Sequence, residues 1–192
     1  KPKPDPKPEP TPDPEPEPEL PDDIDTGSDD VAIDDDGDIT LTPITDTKET
    51  IYEDSLVSFG YWLDSNSDPK DTWQSGTITS ADDIIEHIQN SVTASYSGGV
   101  AAKEFGQKVT GTFEMNVDFG AQSFDQSINV GDWRLNAAGG VSPNGFSSTS
   151  MSGTVDGGSI TSGSSSGSFY GDDAGAVGGD FSATSIDREI GG

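Results

Sequence analysis

The only histidine, His87, follows Glu86 in a chain that holds 36 Asp or Glu and no cysteine. Serine-type nucleophilic catalysis would need that histidine as its base and a serine on a sharp strand-to-helix turn. No Gly-x-Ser-x-Gly elbow falls at such a turn, so no catalytic set is assembled. The lack of cysteine excludes thiol catalysis, disulfides and Cys-ligated zinc or iron–sulfur centres. Glycoside hydrolysis needs one defined carboxylate pair, and nothing singles out a pair here. "DDDGD" (Asp34 to Asp38) invites a calcium loop. With Gly37 at the sixth position, Ala32 and Pro43 stand where that loop needs Asp and Glu, and the motif fails. His87 reads as a surface or rim residue, with haem or metal ligation as the alternative. No catalytic residue and no cofactor are expected.

Aromatic residues offer a different chemistry. Tyr61, Trp62 and Trp73 flank the polar run "DSNSDPKDTWQSG", which reads as a long loop. Exposed aromatics anchor protein partners efficiently, so these three form the candidate ligand-contact loop. The competing reading is core and rim packing.

Charge narrows the partner. The net charge is −27, and residues 1–40 hold 3 Lys against 15 Asp or Glu. Nucleic acid and anionic lipid are disfavoured, because both need a basic face. "KPKPDPKPEPTPDPEPEP" places proline at every even position from Pro2 to Pro18. Proline fixes its own φ and extends its predecessor, which gives a polyproline-II spacer of roughly 60 Å over about 20 residues. Residues 1–45 are expected to be a disordered acidic tether. Either a surface stalk or a periplasm-spanning segment would use such a rod.

The elements that must position any site follow from residue 46 onward. "YEDSLVSFGYWL" (52–63) alternates Val57, Phe59 and Tyr61 and reads as a first strand. "SADDIIEHIQN" (80–90) is the one good helix, with Ser80 as its cap and Asp82 and Asp83 in the first turn. Ile84, Ile85 and Ile88 share a face that would cover a barrel end. "KVTGTFEMNVDFG" (108–120) alternates at strict period two, from Val109 to Phe119, as a half-buried strand does. With "VTASYSGGVAA", "QSFDQSINVGDWRLNA", the two runs joined at "DGG" (156–158) and "AVGGDFSAT", the count reaches about eight antiparallel segments. The expected fold is all-β: one eight-stranded antiparallel up-and-down barrel with one short helix, spanning residues 46–192. Closure removes sheet edges that this lysine-poor chain does little to protect.

"GSFYGDDAGAVGGDF" (167–181) reads as the closing motif of that barrel. Phe169 and Tyr170 end a strand and point to opposite faces. Gly171 opens a tight connection. Gly178 and Gly179 let the last strand bend or pass close to its neighbour, and Phe181 plugs the seam.

These residues carry a resemblance. "GSFYGDDAGAVGGDF" is similar to the strand–loop–strand signature near the end of barrels in the transferrin-binding protein B superfamily. "ASYSGGVAA" and "GTFEMNVDFG" look like earlier strands of the same barrels. The resemblance covers about residues 50–187. It implies an eight-stranded barrel on a Gram-negative surface lipoprotein, related to factor H-binding protein and the heparin-binding antigen barrel. It favours the surface-stalk reading of the tail. The implied partner is a host or environmental protein, or an iron or haem source. Membrane attachment would be only through a lipid anchor outside this sequence, and a monomer is expected. Only one barrel fits, without a second lobe. Ligand contacts in that superfamily lie in variable loops, so none transfers to named residues here.

Overall fold

The computed structural model describes Asp30–Ile33, Ile39–Thr42 and residues 46–192. The proline-alternating segment and Asp34 to Asp38, on which the tether and calcium readings fall, lie outside the described residues. Two units are distinguished, divided after Pro43. Within the first, β1 (Asp30–Ile33) pairs antiparallel with β2 (Ile39–Thr42), Asp30 opposite Thr42 and Ile33 opposite Ile39.

The second unit opens with a three-stranded antiparallel sheet: β3 (Thr47–Glu53), β4 (Val57–Leu63) and β5 (Pro69–Gly76). Helix α1 (Ala81–Gln89) follows. The rest of the chain is the barrel. Its strands are β6 (Thr93–Glu104), β7 (Gln107–Asp118), β8 (Ser123–Val130), β9 (Trp133–Ser142), β10 (Gly145–Ser148), β11 (Met151–Val155), β12 (Gly158–Ser159), β13 (Ser162–Tyr170), β14 (Ala176–Thr184) and β15 (Glu189–Gly191). Eight of them close a ring in the order β6, β7, β8, β9, β10, β13, β14, β15 and back to β6. Strand β11 takes over from β10 along β9, and the Asp156–Gly157 turn brings β12 back against it.

Two sequence expectations are corrected. The segment 52–63 is not the first barrel strand; it ends β3 and forms β4 of the separate sheet. The run read as a long polar loop is largely strand β5, with only Asp64–Asp68 left as its turn. Both errors have one cause. Alternation identifies a half-buried strand but does not say which sheet it joins, and "DTWQS" is polar because most of β5 lies at or near solvent.

Inside the ring, period-two patterning gives the core. Met115, Val117, Phe124, Ile128, Val130, Trp133 and Leu135 are buried. Phe169 stands among Phe119, Phe146 and Tyr96, at ring centroids 5.1, 5.9 and 6.1 Å away, in tilted and edge arrangements. Burial of each large apolar side chain of this kind contributes about 1.5–3 kcal/mol.

Each barrel end has its own closure. At one end lies α1. The Ser80 hydroxyl accepts from the Asp83 N–H at 3.2 Å, and Asp82 and Asp83 sit in the favourable first turn. Ile84 is fully buried in the core and Ile88 packs beside it, whereas Ile85 is substantially exposed. At the other end Glu104 is buried. It accepts from Trp133 Nε1 at 2.9 Å and from Arg188 Nε at 2.7 Å, while Arg188 also holds Asp156.

Candidate functional site

The three-stranded sheet is strapped to the outside of the barrel by Tyr61. This side chain is fully buried against Leu63, Phe59 and Ala101. Its hydroxyl accepts from the Ala102 N–H at 3.1 Å and lies 3.0 and 2.9 Å from the carbonyls of Ala102 and Val109. Burial pushes its pKa up. Tyr61 is therefore a pin between two sheets, not an accessible contact in a loop. Lysines reinforce the junction: Lys108 Nζ donates to Glu49 at 2.6 Å, and Lys103 Nζ to the Lys70 carbonyl at 2.7 Å.

Trp62 and Trp73 lie on the opposite face of that sheet, since Trp62 pairs with Asp71 and Trp73 stands two residues on. Trp62 is 37% exposed. Trp73 is half-buried; its Nε1 donates to the Glu49 carbonyl at 3.1 Å, and Lys48 Nζ stands 3.6 Å from its ring centroid. Of the three expected contact residues, only Trp62 offers free aromatic surface.

The closing motif is placed residue by residue. Phe169 enters the core, and Tyr170 turns outward beneath the three-stranded sheet, where Gly76 and Gly178 leave it room. Gly171 has φ +79°, a conformation that glycine adopts without strain. Gly179 faces Gly167 across the β13–β14 ladder, and a Cβ there would stand 2.1 Å from the Ser166 carbonyl oxygen. A Cβ on Gly167 would stand 2.6 Å from the Phe146 ring, so the bare Cα of Gly167 makes space for that ring. Phe181 is buried in the same core. Between the two strands, Asp172–Ala174 form one 3-10 turn.

His87 packs its ring against Phe119 at 5.2 Å, with Nε2 3.2 Å from the Asp173 carbonyl oxygen. Its side chain is only 13% exposed. Among the described residues, no three His, Asp or Glu side chains gather as metal ligands would.

The two most exposed large apolar side chains lie elsewhere. Phe105, at the tip of the β6–β7 turn, is 70% exposed, and Ile186, in the loop before β15, is 87% exposed. Both line one groove, together with Lys103, Ser185, Asp187 and Arg188. Phe105 also holds a left-handed φ of +49°, uncommon for a bulky residue. Sequence reasoning passed over both. The available signal was a lone large apolar residue inside an otherwise polar turn, in "KEFGQK" and "TSIDRE". A groove flanked by two solvated apolar tips can bind a complementary surface.

Comparison with known proteins gives a consistent picture. The family profile described as C-lobe and N-lobe beta barrels of Tf-binding protein B matches residues 69–192. A solved structure of the vaccine antigen transferrin-binding protein B from Haemophilus parasuis Hp5, a tryptophan-to-alanine mutant, superposes with a TM-score of 0.51 at 18% identity. That match covers 86% of this chain and 40% of the solved one. No curated protein sequence matches the chain.

Proposed function

The chain belongs to the family of transferrin-binding protein B barrels, and from that premise we propose that it is a non-enzymatic capture module displayed at a bacterial outer-membrane surface. Its partner is a host protein, with transferrin first in line because the family's name specifies it. The single observation that carries the reading is the pair of solvated apolar tips, Phe105 and Ile186, on one groove at the barrel rim. Trp62 extends the accessible aromatic surface on the neighbouring sheet. The acidic balance of the chain favours a partner with a basic contact face. Residues 1–18, with proline at every second position from Pro2 to Pro18, have the composition of a spacer for such a module.

Immobilised transferrin, probed with the purified chain by surface plasmon resonance, tests this. Binding is expected, weakened at least tenfold by Phe105→Ser and by Ile186→Ser. Both side chains are solvated, so neither substitution should shift the unfolding midpoint. Failure to bind transferrin, or binding by both variants as tight as the parent's, counts against the reading. A one-to-one haem complex lost on His87→Ala would replace it with the haem-capture alternative.

A further inference from the structure

Three hairpins of the barrel turn through two residues: Phe105-Gly106 between β6 and β7, Gly131-Asp132 between β8 and β9, and Asp156-Gly157 between β11 and β12. Such turns match the twist of their strands in the I′ and II′ forms. The first needs positive φ at both loop residues and favours Asn-Gly or Asp-Gly. The second needs positive φ at the leading residue and favours glycine there. Asp156 and Gly157, at φ +50° and +79°, follow the first pattern, and Gly131, at +51°, follows the second. Phe105 breaks the rule. Its φ is +49° and that of Gly106 is +74°, so the turn repeats Asp156-Gly157 with a phenylalanine where the aspartate stands.

In the left-handed region the Cβ of an L residue crowds the following carbonyl, a cost that Asn and Asp offset through local hydrogen bonds. Phenylalanine has no such bond to make. The other non-glycine residues with positive φ among the described residues are Ser67, Ser91, Gln122, Asp156, Asp173 and Ala174, all polar or small. The fold gains little from the exception. Phe105 is 70% exposed, so its ring contributes little burial. The hairpin does not depend on it either, since the β6–β7 ladder already runs to Glu104–Gln107. An exposed aromatic side chain at a strained turn position, where the neighbouring hairpins keep the favoured residues, marks a residue retained for what it contacts.

We infer that Phe105 is an anchor: a ring held out by its turn, which enters an apolar pocket on a partner polypeptide. This rests on the reading of the rim as a capture surface. The partner supplies the concave half, because a ring projecting from a turn loses its water only inside a pocket. Ile186 flanks the entry, as it lines the same groove. The turn fixes the backbone on both sides of the ring, so little ordering remains to oppose binding. A lipid surface fits less well. The net charge of −27 repels anionic headgroups, and two apolar tips bury little area.

The test compares Phe105→Asn with the parent in three measurements. The substitution gives the turn its favoured Asn-Gly pair, so the unfolding equilibrium constant should fall about fivefold in denaturant titration. Ile186→Asn, at a position without positive φ, should leave that constant unchanged. β-Cyclodextrin, whose apolar cavity accepts a phenyl ring, serves as the model pocket. It should shift the Phe105 ring protons and bind the parent at least about threefold more tightly than the capped peptide Lys-Glu-Phe-Gly-Gln-Lys. Phe105→Asn should abolish that complex. In flotation with phosphatidylcholine vesicles the parent should stay unbound. An unfolding constant that does not fall in Phe105→Asn overturns the proposal. So does cyclodextrin binding no tighter than the peptide's, or binding that survives the substitution. Flotation of the parent that Phe105→Asn abolishes assigns the tip to lipid and overturns it too. None of the three measurements uses transferrin. A chain that passes all three yet ignores transferrin keeps the anchor and loses only that partner.

Discussion

Twelve residue pairs join β6 to β7, from Thr93–Asp118 to Glu104–Gln107, whereas two join β6 to β15 on its other edge. The first edge is a wall made by backbone. The second is a seam held by what surrounds it: the Glu104–Arg188–Trp133 cluster at one end, the Tyr96–Ala174 bond at the other, and the sheet pinned across it by Tyr61. The two edges of one strand are thus held differently, the first by its own ladder and the second by side chains and by the three-stranded sheet that lies across it from outside.

The largest expected effect tests the wall and its core. Phe169→Ala removes the ring that meets Phe119, Phe146 and Tyr96, and should cost about 3–5 kcal/mol in denaturant unfolding followed at the tryptophans. Gly179→Val, at the edge of the seam, should cost about 1–3 kcal/mol, because its Cβ would meet backbone that cannot rotate away. A Gly179→Val protein as stable as the parent would show that β13 and β14 can separate freely there. Tyr61→Phe keeps the ring but removes the hydroxyl among three backbone groups; a loss of about 1–3 kcal/mol is expected. It should also speed amide exchange in β4 more than in β7. If both strands respond alike, the sheet is not a separate strap.

Two pH experiments make smaller, sharper tests. Burial raises the Glu104 pKa, but hydrogen bonds from Arg188 and Trp133 outweigh it and hold the carboxyl below its usual range. A folded-state pKa below the unfolded value adds stability above the unfolded pKa, and this is lost as pH falls through the folded one. Acid titration of the unfolding midpoint should show that loss below about pH 4.5, and Glu104→Gln should flatten it. At the far end, burial pushes Tyr96 up to about 12. Its contribution is complete below the unfolded tyrosine value of about 10 and disappears as pH rises to the folded value. Tyr96→Phe should weaken this alkaline dependence while the acid limb stays as it was.

Legibility in the sequence followed the same division. The wall strands were readable because Val109 to Phe119 alternate without a break, and the helix because Ser80 caps it and isoleucines line one face. The closing motif was readable because glycines next to aromatics imply close strand passage. The covering sheet was not. Val57, Phe59 and Tyr61 alternate as any half-buried strand does, and nothing local says that their partner face is the outside of another sheet. The rim tips were missed because a lone apolar side chain in a turn has no period to detect. Tyr61 reads as a contact in the sequence because its burial depends on Ala102 and Val109, more than forty residues away.

The junction that fastens the sheet has a further consequence for the whole surface. Lys48 sits over Trp73, Lys70 pairs with Asp46, Lys103 reaches the Lys70 carbonyl, Lys108 holds Glu49, Arg134 turns back to the Gly131 carbonyl, and Arg188 is taken by Glu104 and Asp156. Lys70, Lys108 and Arg188 pair with carboxylates, and all six cations after Thr47 are outnumbered by the acidic residues, so the field facing solvent is strongly negative. Such a field repels its own copies, draws in counterions and weakens the folded state through self-repulsion. Added salt relieves that repulsion within a screening length of about 8 Å at physiological ionic strength. The protein is thereby built to become more stable as the medium becomes more saline, and to meet positively charged surfaces fastest where it is dilute.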